Sequence, residues 1–81
     1  MQVLIEFLGK QCVITETDSI DMPITEKMTV NDAIEYVRQR YPALHLDEGM
    51  IVITVNREIA SGDRILRAND TVLFLPFISG G

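Results

Sequence analysis

The sequence predicts an α+β fold in which one main helix covers a mixed sheet of four to five strands. Three observations carry that expectation. Apolar residues alternate near both ends of the chain, a single stripe at helical spacing occupies the middle, and a run of β-branched residues follows it. The chain has 81 residues, enough for one domain. A domain of this size hides only about 60% of the surface its unfolded chain exposes, so its core must be simple.

Each element follows from local chemistry. Val3, Ile5 and Phe7 form one apolar face at a period of two, while Gln2, Leu4, Glu6 and Leu8 make a mixed face, which predicts a first strand. Gly9-Lys10-Gln11 breaks it. Residues 11–18 stay unclassified, because Cys12-Val13-Ile14 is too short an apolar run to separate helix from strand. Ile20, Met22 and Ile24 alternate with polar residues and predict a second strand over 19–24. Pro23, having no amide to give, places it at a sheet edge. Thr29 suits an N-cap and Asp32 favours the positive end of a helix. Val30, Ala33, Ile34, Val37 and Tyr41 then give one apolar stripe, and Tyr41-Pro42 ends the helix, since the residue before proline avoids helical angles. Ile51 to Asn56 is the clearest strand. Asn56-Arg57 turns the chain into a short strand at Glu58-Ile59-Ala60, and Ser61-Gly62-Asp63 and Ala68-Asn69-Asp70 are turn clusters. Thr71 to Leu75 is a last strand, stopped by Pro76.

The order strand, strand, helix, strand, short strand, strand on one small sheet is the β-grasp, or ubiquitin-like, arrangement. The first and last strands are expected side by side in the middle. The helix face would take Val3, Ile5, Phe7, Val72 and Phe74. Leu4, Leu8, Leu73 and Leu75 would point the other way, either as a docking surface or covered by segment 10–18 or 43–50. The expected division is a β-grasp domain over residues 1–75 and an extended C-terminal tail over 76–81.

Composition narrows the function. Twelve acidic residues against seven basic ones argue against nucleic acid, which needs clustered Lys and Arg. Cys12 is the single cysteine, so neither an internal disulfide nor a thiolate metal cluster can form, and a lone thiol suits a reducing, cytoplasmic setting. The N-terminus reads as a strand, not as a secretory signal, and no apolar stretch approaches the roughly 18 residues of a membrane span.

The tail, Pro76-Phe77-Ile78-Ser79-Gly80-Gly81, reaches at most about 20 Å when extended. Its last two residues lack side chains and can thread a channel too narrow for any other residue. The carboxylate of Gly81, ionised at neutral pH, can attack the α-phosphate of ATP and become an acyl-adenylate, which a sulfur donor converts to a thiocarboxylate.

These residues carry a resemblance. Val55-Asn56-Arg57-Glu58, the run from Leu66 through Asn69-Asp70-Thr71-Val72, and Phe74 to Gly81 resemble the MoaD/ThiS family of ubiquitin-like sulfur carriers, and most of all the small subunit of molybdopterin synthase. Family members often carry two prolines before the final apolar residues; here Phe77 stands in the second place. The resemblance implies a carrier and not an enzyme, with no cofactor bound and ATP consumed by a MoeB/ThiF-like activating enzyme. A sulfurtransferase would supply sulfur, and a MoaE-like large subunit would receive the tail in molybdenum cofactor biosynthesis. It makes Gly80 and Gly81 the functional residues, with Pro76, Phe77, Ile78 and Ser79 on the approach. Leu73, Leu75 and Phe77, with Leu4 and Leu8, are the expected partner contacts. Carriers for thiazole synthesis, transfer-RNA thiolation or protein conjugation share the tail. A noncovalent β-grasp interaction module stands as a different class. Among the remaining residues, Cys12 lacks a paired histidine and reads as structural, His45 as a loop residue, and Asp47, Glu48 and Asp63 as solvated turn acids without metal-loop spacing.

Overall fold

The computed structural model describes residues 1–44, 46 and 51–76. Five strands and two helices follow in the order β1 (Gln2–Glu6), α1 (Lys10–Thr15), β2 (Ser19–Pro23), α2 (Val30–Arg40), β3 (Ile51–Val55), β4 (Glu58–Ile59) and β5 (Thr71–Pro76). The sheet order is β2-β1-β5-β3-β4. β1 and β5 lie parallel in its middle, with Leu4 opposite Thr71 and Glu6 opposite Leu73, and the other neighbours are antiparallel. This is the expected β-grasp, and β2 with its Pro23 stands at the edge that proline requires.

α2 begins where its capping chemistry dictates. The Thr29 side chain and Asp32 form a capping box, in which the Thr29 amide donates to Asp32 Oδ2 at 2.7 Å. The next amides are satisfied from a distant loop: Val30 donates to the Arg64 carbonyl at 3.0 Å and Asn31 to the Gly62 carbonyl at 2.9 Å. Gly62 lies against the Asn31 side chain, which would have to shift to admit a Cβ. The helix stripe Val30, Ala33, Ile34 and Val37 is buried on Val3, Ile5, Phe7, Met22, Val55, Val72 and Phe74, together with Leu44 and Leu46. Tyr41, the C-cap, meets Phe7 edge-on at 5.7 Å between ring centres.

Two elements differ from the sequence reading. The unclassified segment forms α1, a six-residue helix entered through Gly9 at φ 53°, ψ −123°, a backbone glycine reaches readily, and left through Glu16 in a left-handed cap. Its inward residues are Gln11 and Thr15, and Cys12 packs against the core cluster. β5 also continues through Pro76, paired opposite Ile51, one residue past the expected boundary. β1 pairs with β5 only as far as Leu73, so the far end of β5 has a strand neighbour on one side alone, a position that tolerates a residue without an amide.

Candidate functional site

The candidate site is the end of β5 and the sheet face around it. Register decides which side each residue serves. Ile53 opposite Phe74 and Val55 opposite Val72 share the helix face, whereas Val52 opposite Leu75 and Thr54 opposite Leu73 share the outer face. Leu4, Leu73, Leu75 and Val52 are half-buried there. Thr54 is buried among these neighbours, and its hydroxyl has no hydrogen-bond partner among the described residues. Leu8 lies beyond the end of β1, on the turn into α1, and is exposed, as are Val13 and Ile14 of α1. α1 therefore does not seal the outer face: its Cys12 packs on the helix-side core. Leu44 and Leu46 of the second candidate cover are likewise core residues. Pro76 is the last described residue. Phe77, Ile78, Ser79, Gly80 and Gly81 lie outside the described residues, as do His45, Asp47 and Glu48.

The start of β5 is held by a clamp that the residue pattern did not announce. Asn56 and Asp70, fourteen residues apart, bond through Asn56 Nδ2 and Asp70 Oδ1 at 2.8 Å. Asp70 Oδ2 accepts from the Arg67 amide at 2.8 Å, and the Asp70 carbonyl accepts from the Leu4 amide at 2.9 Å. Asn56 pairs with Thr71 both ways: its backbone amide donates to the Thr71 carbonyl at 2.8 Å, and its Oδ1 accepts from the Thr71 amide at 3.0 Å. The clamp thus joins the β3–β4 turn, the turn before β5 and the start of the β1–β5 ladder. The signal was present: Val55-Asn56-Arg57-Glu58 and Asn69-Asp70-Thr71-Val72 are two of the runs that carry the family resemblance, and the fold brings them into contact.

Cys12 donates its thiol to the Phe7 carbonyl at 3.0 Å. Burial, then the carboxylate of Asp18, push that thiol above its usual range, so the reactive thiolate is disfavoured at neutral pH. Among the described residues, no group of three His, Cys, Asp or Glu side chains could hold a metal ion. A groove of about 520 Å³ opens between α2 and the β3–β4 hairpin, lined mainly by Ile34, Ile51, Val52, Ile53 and Ile59, with Asp63 the one acid among the described lining residues. No helix among the described residues is long and apolar enough to cross a membrane.

Comparison with known proteins agrees with this geometry. Residues 5–81 match the ThiS family. Among solved structures, small archaeal modifier protein SAMP1 of Haloferax volcanii superposes with a TM-score of 0.84 at 19% identity, covering 100% of both chains. A putative molybdopterin converting factor subunit 1 from Pyrococcus furiosus gives a TM-score of 0.84 at 22% identity, over 96% of this chain and 99% of that one. A complex of subunits 1 and 2 of the Helicobacter pylori molybdopterin-converting factor gives 0.66 at 18% identity, over 100% of both chains. No curated protein matches the sequence.

Proposed function

The chain belongs to the ThiS family of ubiquitin-like sulfur carriers, and on that premise we propose that its working group is the carboxylate of Gly81. A MoeB/ThiF-like activating enzyme joins a carboxylate oxygen to the α-phosphorus of ATP and releases pyrophosphate. A sulfurtransferase then delivers sulfur at the sulfide level to the acyl carbon, AMP leaves, and a thiocarboxylate remains. In our reading that sulfur goes to a pterin precursor in molybdopterin synthesis, with a MoaE-like large subunit receiving the tail in the cytoplasm. The domain supplies presentation and docking; partner enzymes supply the chemistry.

The family match over residues 5–81 carries this reading, because it takes in the clamp, β5 and the glycine pair together. The half-buried outer face supports it with a surface for a larger partner. Leu73 and Leu75 offer apolar area on β5, with Leu4 diagonal to Leu73 on β1, Glu6 directly beside Leu73 as a charged neighbour, and Leu8 exposed nearby. The Helicobacter pylori relative was solved as a complex of two subunits, which supports a heteromeric working state here.

Intact mass tests the reading. After incubation with ATP, a family activating enzyme and a sulfur donor, the expected product has one oxygen replaced by sulfur. Extending the chain beyond Gly81 should abolish that shift. An extended chain that keeps its cellular role would show a noncovalent interaction module instead. Adding the large subunits of the molybdopterin and thiazole pathways in turn separates the two destinations: only the true acceptor should discharge the thiocarboxylate.

A further inference from the structure

The parallel ladder between β1 and β5 stops one rung early, and a side chain occupies the missing rung. The Leu4 amide donates to the Asp70 carbonyl at 2.9 Å. A parallel ladder repeats every two residues on both strands, so the following donors are Glu6 and Leu8 and the following acceptors Val72 and Phe74. The last of these rungs is interrupted. The Leu8 amide donates to Gln11 Oε1 at 3.1 Å, and Gln11 Nε2 donates to the Phe74 carbonyl at 2.7 Å.

The carboxamide of Gln11 is therefore spliced between the two strands, accepting on one side and donating on the other as a peptide group would. Its orientation is dictated by its partners, since only its oxygen can serve an amide and only its nitrogen a carbonyl. The residue is 9% exposed. Its own backbone is fixed by α1: the Gln11 amide donates to the Leu8 carbonyl at 3.0 Å, and its carbonyl accepts from the Thr15 hydroxyl at 2.9 Å. A bridging amide holds the strands farther apart than a direct bond would. β1 turns away into α1 at this level, while β5 runs on against β3 as far as Pro76 opposite Ile51. Neither the Leu8 donor nor the Phe74 acceptor is left without a partner.

We propose that Gln11 is a positioning residue: its carboxamide, inserted between Leu8 and Phe74, sets the direction of the last residues of β5, Phe74 to Pro76, and so governs how the carrier is presented to the activating enzyme. The second clause rests on the carrier reading; the first does not. Without the wedge, the Leu8 amide can close directly onto the Phe74 carbonyl and swing the end of β5 towards β1. The outer face would be unchanged, so docking should survive while alignment of the terminus with ATP is lost.

The test compares wild type with Gln11→Leu and Gln11→Glu. Gln11→Leu removes both bonds; Gln11→Glu keeps the acceptor for Leu8 but loses the donor to Phe74. Residual dipolar couplings report the orientation of the Leu75 N–H vector relative to the core. Adenylation kinetics with a family activating enzyme, run well below the melting temperature, report presentation. The expected result is a reoriented Leu75 vector in both variants, with the Leu8 amide held in place in Gln11→Glu alone. In both variants kcat should fall roughly ten- to a hundredfold, as a misaligned reacting group predicts, with KM for the carrier unchanged. A role confined to stability would lower the melting temperature and leave kcat of the folded protein intact, which would overturn the proposal, as would an unmoved Leu75 vector. Wild type that no family activating enzyme adenylates would overturn the carrier reading instead, and the couplings would still decide whether Gln11 directs the strand.

Discussion

Phe74 and Leu73 are neighbours on the same strand and live in different solvents. Phe74 has no exposed surface and sits with Ile5 and Val72 in the core cluster that takes in Val37 of α2. Leu73 faces the other way beside Thr54, and part of its surface remains open. One strand thus has two environments on a period of two: its helix side is buried in the core, and its outer side leaves apolar area partly open, where we propose that a partner docks. On that reading, stability and recognition can be changed separately, residue by residue.

The largest effect should come from the sealed side. Phe74→Ala removes a ring from a filled core and is expected to cost about 3–5 kcal/mol, read as a lower denaturation midpoint. An unchanged midpoint would break the distinction between the faces. Asp70→Ala comes next. It deletes a buried carboxylate, leaving the Arg67 amide and the Asn56 side chain without their acceptor, and should cost about 2–3 kcal/mol in urea unfolding. On the open side, Leu73→Thr keeps a strand-forming side chain and should cost only about 1 kcal/mol of stability. Its affinity for the large subunit should nevertheless fall by about tenfold or more, measured by calorimetry, if Leu73 lies in the contact centre. Stability loss without affinity loss would move the docking surface elsewhere. The smallest effect is a gain. Arg57 holds φ at 71° in the β3–β4 turn, after Asn56 at 53°. Two positive angles in succession favour glycine at the second, and Arg57→Gly should add about 0.5–1 kcal/mol, seen as a raised melting temperature.

Much of this architecture was legible before folding because it depends on short-range periodicity. Val3-Ile5-Phe7 and the stripe from Val30 to Val37 each state which face is buried. Thr29 with Asp32 marks the helix start, and Pro23 excludes a central strand. Asn56-Arg57 announced a turn. The candidate tail residues, Phe77 to Gly81, were singled out from the sequence alone and lie outside the described residues.

What the residues alone determined, then, is the order of the five strands and α2, the face each presents and the residues at which α2 starts and stops, because turn, capping and alternation act within a few positions of one another. Only the tertiary structure decided the state of residues 11–18. Cys12-Val13-Ile14 has no preference strong enough to select a helix, and α1 becomes worthwhile when Gln11 and Thr15 are buried against the end of the sheet. The same holds for the bond between Asn56 and Asp70, fourteen residues apart, for the bridge from Gln11 to Phe74 across sixty-three, and for the single strand neighbour that lets β5 include Pro76. A hydrogen bond between distant residues has no sequence period. It exists only after the chain has brought a donor and an acceptor together and removed the water that would otherwise satisfy both.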